Sequence, residues 1–166
     1  MIFKQFGDIY LKSSDAISRD GIPIGDEIPK FQGLSYNTGK YFSKKDLEKM
    51  PTLIGFISPN CPACKDMIPD WNRAITKYKG KVNFLLIGVG QNRDQYNEFL
   101  KNRPLKGDLI LDPDNVGQAF RVRVTPFAIM LDEKGVVVEK GLCNSEQHIE
   151  HLISYSSSTK LMKKGV

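Results

Sequence analysis

No stretch of this sequence is long and apolar enough to cross a bilayer as a helix, which takes about 20 consecutive apolar residues. The opening MIFKQFGDIYLKSSD has no apolar core followed by a small-residue cleavage site, so it does not read as a secretory leader. Cysteine is scarce: three among 166 residues, an odd count too low for a disulfide-stapled scaffold. Histidine occurs twice and tryptophan once. There is no internal repeat, and the one biased patch is Ser156–Ser158. Nucleic-acid-binding motifs are lacking too. The net charge of +5 comes from basic residues spread along the chain, apart from a short cluster at Lys160, Lys163 and Lys164. It reads as a solvated surface rather than a polyanion-binding face.

What is present suits one ordinary domain with a sizeable core, at 40% hydrophobic and 26% charged residues. Residues 1–30 carry Gly21, Pro23, Gly25 and Pro29 without sustained periodicity and read as an irregular leader. Residues 31–155 read as the folded domain, and 156–166 as a flexible basic tail. Within the domain a strand is expected near FQGLSYN and a helical turn at Asp46–Lys49, stopped by Pro51. TLIGFI and VNFLLIGV are apolar runs suited to strands buried on both faces. Between them Met67, Trp71, Ala74, Ile75 and Tyr78 recur at helical spacing. Pro69 should kink that helix and Gly80 should end it.

A second helix is expected over 92–103, then a strand at LILD and a helical segment from Asp112-Pro113 to about Phe120. FAIML, the DEKG turn and VVVEK make a hairpin, and Ser145 can cap a last helix over EQHIEHLISY. The order predicts an α/β fold: a central mixed sheet, parallel where βαβ units build it and antiparallel at the closing hairpin, flanked by helices.

Cys61-Pro62-Ala63-Cys64 falls between the first buried strand and its helix. A helix N-terminus offers unsatisfied N–H groups and partial positive charge. Both stabilise a thiolate, the form of cysteine that attacks. Cys61, at the edge of the turn, is expected to be the exposed attacker. Cys64, one turn deeper, is close enough to form a disulfide and is expected to resolve a mixed disulfide. Pro62 suits helix initiation, and Pro62-Ala63 adds no ionisable group. About sixty residues on, Val124-Thr125-Pro126-Phe127 puts a proline at the first residue of a strand, where its missing donor is tolerated. A cis Thr125–Pro126 bond there would form a tight turn.

FISPNCPACKDMIPDW resembles the active-site segment of thioredoxin-like proteins of the methylamine-dehydrogenase accessory (MauD-type) group, which stands with the TlpA-like thiol-disulfide proteins. GIPIGDEIPKF resembles their entry segment, and VTPFAIMLDEKGVVVEKG their cis-proline strand, turn and last strand. The resemblance implies a thioredoxin fold with an inserted helix and strand. It also implies a proline loop that faces the redox pair, so that Thr125 and Pro126, with Pro62 and Ala63, take an extended client segment by strand addition. It further implies protein clients with cysteines, a separate redox partner, no cofactor, and an extracytoplasmic site with an N-terminal membrane anchor preceding the sequence as given. A monomer is expected.

The family pattern is not complete. Many thioredoxins carry a carboxylate where this chain has Gly55, and cytochrome-maturation relatives often place a glutamate where it has Met67. No acidic side chain at either place serves a buried Cys64 thiol. Asp66 and Asp70 read as exposed helix residues, and Asn60 replaces a frequent aromatic.

Other residues have plainer readings. Cys143 reads as a free, partly buried thiol, and Trp71, Phe56, Phe84 and Phe127 as core. Arg121 and Arg123 read as surface charge beside the proline loop; the sharper alternative is that one of them raises the local potential and favours the thiolate. A zinc site from Cys61, Cys64, His148 and His151 is disfavoured, because the His-x-x-His spacing is short and those histidines belong to the terminal helix. Two rival functions remain. In a thiol peroxidase, Ser58-x-x-Cys61 would match a hydroxyl-x-x-Cys motif, but position 54 is Ile rather than Pro. In a copper chaperone, two cysteines and a histidine would bind the metal, but such sites space their cysteines more widely.

Overall fold

The computed structural model describes residues 20–90, 92–111 and 116–164. Thr52–Ile57 forms strand β3, buried at every position, as a strand covered on both faces must be. Leu53 and Ile57 face one core, and Ile54 and Phe56 the other. Ahead of it, β1 (Gln32–Leu34) and β2 (Tyr41–Ser43) make a separate antiparallel hairpin. On one side of β3 lie β4 (Asn83–Gly88) and β5 (Asp108–Leu111), both parallel. On the other lie β6 (Phe127–Leu131), antiparallel to β3, and β7 (Val137–Leu142), antiparallel to β6. The sheet order is β5-β4-β3-β6-β7, the mixed sheet expected from the chain order. Asp132 shapes the hairpin turn by accepting from the N–H groups of Lys134 and Val136 at 2.8 and 3.0 Å.

Crossover handedness explains the layers. The steps β3 to β4 and β4 to β5 run in the same direction, so right-handed connections put helices α1 (Pro62–Lys77) and α2 (Arg93–Leu100) on one face. There they join α4 (Glu146–Lys164) around Leu53, Ile57, Met67, Trp71, Tyr96 and Ile149. From β5 the chain returns past β3 to β6 and carries the short α3 (Val116–Ala119) across the opposite face. Residues 20–31 and the 3-10 turn Lys44–Leu47 also cover that face, packing Ile22, Ile28, Phe31 and Leu47 on Ile54 and Phe127.

Several boundaries differ from the sequence expectation. The expected break at residue 30 falls inside the packed body: Ile22 and Ile28 are buried, and residues 25–28 pair with the edge of β7, where Gly25 N–H donates to Val137 O at 2.8 Å. Apolar side chains too sparse to show a period still fill the space over the sheet, and the pairing covers an exposed strand edge. Residues 1–19 of the expected leader lie outside the described residues, as do 112–115, where the Asp112-Pro113 segment was expected to start. The last helix continues to Lys164 rather than giving way to a tail at Ser156. The turn expected at Asp46–Lys49 forms over Lys44–Leu47, started by the Asp46 carboxylate, which accepts from Ser43 N–H at 2.8 Å. α1 runs through Pro69, which lies on the exposed side, where the carbonyl it leaves without a donor can be hydrated.

Candidate active site

The register of two strands brings the motifs together. Phe56, near the end of β3, pairs with Phe127, the first residue of β6. The turn that follows β3 therefore lies beside the residues that precede β6, although more than sixty positions separate them in the chain. The Thr125–Pro126 peptide is cis, and the Thr125 carbonyl oxygen lies 3.6 Å from Cys61 Sγ. Among the residues expected at the site, Pro62 is exposed, Ala63 and Thr125 are half-buried, and Pro126 is buried.

Cys61 is the N-cap of α1, in extended backbone conformation, with Pro62 as the first helical residue. Cys61 and Cys64 are within disulfide distance, with Cα atoms 5.2 Å apart. Their environments differ: Cys61 is half-buried at the helix mouth, whereas Cys64 is fully buried. The Cys64 N–H donates to Cys61 Sγ at 3.2 Å. No acidic residue occupies the first turn, so nothing there opposes a negative charge on sulfur. Met67, Ile68, Trp71 and Ala74 continue the buried stripe below Cys64.

The reason no carboxylate sits under the pair is visible in the packing. A Cβ on Gly55 would lie 2.7 Å from Leu86 Cδ2 and 2.9 Å from the Trp71 ring. Trp71 is fully buried and meets Phe84 edge-on at 5.4 Å. The indole fills the space a side chain at position 55 would need.

Two supports were not legible from the sequence. The buried Tyr96 hydroxyl donates to Val89 O at 2.7 Å and lies 3.4 Å from Ile57 O, tying the ends of β3 and β4 together where the cysteine turn begins. Gly88 makes room for it, since a Cβ there would come within 2.6 Å of the Tyr96 ring. Asp70, expected to be exposed, is half-buried; it accepts from Glu146 N–H at 3.1 Å and pairs with Arg73, linking α1 to the start of α4. An aromatic in a short amphipathic helix was the only sign of the first, and nothing signalled the second. Ser145 accepts from His148 N–H at 3.4 Å in its expected capping place.

Cys143 is fully buried, not partly so, because its N–H donates to Pro126 O at 3.1 Å and its side chain turns into the core shared by Cys64 and Ile149. Burial pushes its thiol up to about 12 from 9.0, and the Asp70 carboxylate adds to the rise. Reduced native protein is expected to offer one thiol, Cys61, readily to a thiol reagent and the buried Cys64 and Cys143 only on unfolding, as titration with and without denaturant would report. The stability gained by keeping Cys143 neutral is whole below pH 9.0 and falls as the pH rises toward 12, since the unfolded thiol ionises first. His148 and His151 are both exposed on α4. Among the described residues no three His, Cys, Asp or Glu side chains gather to hold a metal. No helix there is long and apolar enough to cross a membrane.

A cysteine pair at the mouth of a helix, beneath a proline loop on a central mixed sheet, defines a thioredoxin-fold oxidoreductase. The chain belongs to the Redoxin family, whose pattern matches residues 23–154. It is 29% identical to the methylamine utilization protein MauD of Methylobacillus flagellatus, over 99% of this chain and 83% of that protein. It is 30% identical to MauD of Paracoccus versutus, over 92% and 77%. Among solved structures, a thiol:disulfide interchange protein of the thioredoxin family from Chlorobium tepidum superposes with TM-score 0.68 at 19% identity, covering 80% of this chain and 96% of that one. A secreted disulfide oxidoreductase of Mycobacterium tuberculosis superposes with TM-score 0.65 at 17% identity, covering 75% and 94%.

Proposed function

We propose that Cys61 and Cys64 form a dithiol–disulfide couple that exchanges with cysteines of client proteins, Cys61 attacking and Cys64 resolving. The unequal burial of the two sulfurs at the start of α1 carries this reading. In the reducing direction the Cys61 thiolate attacks one sulfur of a client disulfide. A Cys61–client bond forms, the client S–S bond breaks, and the departing sulfur takes up a proton. Cys64 then gives up its proton and attacks Cys61 Sγ. The intramolecular disulfide closes, the second client sulfur leaves as a thiol, and two electrons have passed to the client. The oxidising direction is the same path reversed.

The position of Thr125 supports the docking role expected of the proline loop, because its carbonyl lies beside the attacking sulfur of Cys61. Pro62, Ala63 and Pro126 shape the same surface. A second thiol protein would restore the couple after each turn. The reading includes an extracytoplasmic location, in keeping with the secreted M. tuberculosis oxidoreductase, and an N-terminal membrane anchor in the full-length form.

The test is equilibration of the pair against glutathione buffers, coupled to an assay with a protein disulfide such as insulin. A reversible two-electron couple that turns over the protein disulfide is expected. A pair that cycles with dithiothreitol but never exchanges with a protein disulfide would overturn the proposal.

A further inference from the structure

The proline loop is held from outside by the segment that enters the domain. Asp20 has its side chain only 3% exposed, a costly place for a carboxylate unless charge and hydrogen bonds satisfy it. It accepts from Arg123 Nε at 2.8 Å and from the Arg123 backbone N–H at 3.2 Å. The next residue continues the grip: Gly21 N–H donates to Arg121 O at 2.9 Å. Gly21 itself has φ +78°, and a Cβ there would meet the Phe127 ring at 2.9 Å, so the segment lies directly against the start of β6. Arg121 also sits in the left-handed region, at φ 60°, a conformation that costs a non-glycine residue energy unless its surroundings hold it. Lys140 Nζ, at 3.5 Å from Gly21 O, closes the cluster from β7.

These contacts end two residues before Thr125, whose carbonyl lies beside Cys61. We infer that Asp20 is a positioning residue, which fixes through Arg123 the backbone edge at Val124–Thr125 where an extended client segment docks. The inference rests on the proposed exchange function and adds to it the residue that sets client affinity. Asp20 touches neither sulfur, so it acts on docking and not on the sulfur chemistry. The Arg123 side chain is 72% exposed, but its Nε meets a carboxylate only 3% exposed, so removing the guanidinium leaves that carboxylate without its charged partner. Asp20 contributes this bond and the one to the Arg123 backbone, and the two together fix the loop's path.

The experiment compares wild type, Asp20→Asn and Arg123→Ala with two substrates: a peptide carrying an intramolecular disulfide, and the small disulfide reagent DTNB. Arg123→Ala removes an exposed side chain and keeps the test alive should Asp20→Asn fail to fold. The expected result is a KM for the peptide about tenfold higher in both variants, the scale of one lost charge-assisted hydrogen bond. The peptide kcat, the DTNB rate and the Cys61–Cys64 potential should not change, and Asp20→Glu should recover part of the affinity. An unchanged peptide KM, or peptide and DTNB rates falling together, would overturn the inference. Wild type that reacts with DTNB but ignores every peptide or protein disulfide would instead sink the exchange function itself.

Discussion

Cys61→Ser is expected to lose disulfide exchange by at least roughly a thousandfold, while Cys64→Ser still attacks once and then stays bound to its client. The difference follows from position. Cys61 lies at the N-cap, half-buried, with the Cys64 N–H donating to its sulfur. Cys64 is fully buried and cannot meet a client directly, yet it is near enough to close a bond with Cys61. Removing the outer sulfur stops the first step, and removing the inner one stops only the second. Mass spectrometry of non-reduced mixtures would show the trapped adduct in Cys64→Ser and none in Cys61→Ser. Equal adduct formation by the two variants would contradict the assignment of roles.

Gly55→Asp, which places an acid where many thioredoxins have one, is expected to destabilise the fold by about 3 kcal/mol or more rather than speed resolution. Forcing a Cβ into a filled core costs about 1–3 kcal/mol, and burying a polar group without partners costs about 1–3 kcal/mol more. Both penalties apply, since Leu86 and the Trp71 ring stand within 3 Å of the new atom. For a domain of this size that loss lowers Tm by roughly 10 °C. A companion change of Trp71 to leucine should recover part of it, because contacting residues are coupled. Urea unfolding of the two single variants and the double variant would measure both. A stable Gly55→Asp protein with faster resolution would show that the space under the pair can accept a base after all.

Much of this protein was legible in its order of residues. The apolar runs at 52–57 and 83–88, the helix between them and the closing hairpin each announce themselves by periodicity and turn chemistry, which are local. Cys61 and Cys64 were legible for the same reason: three residues of spacing at the mouth of a helix define both partners and their unequal burial. Tertiary structure alone decided how distant pieces meet. Residues 20–30 carry no period, yet Ile22 and Ile28 fill the second core and Asp20 grips the proline loop, because burial there depends on a sheet assembled from residues 52–142. Tyr96 shows its hydroxyl to two strand ends only after those strands are paired. The sequence could show that Gly55 is not an acid. That Trp71 occupies the space instead, and that Cys143 is sealed behind Pro126, depends on packing between side chains that no local spacing encodes.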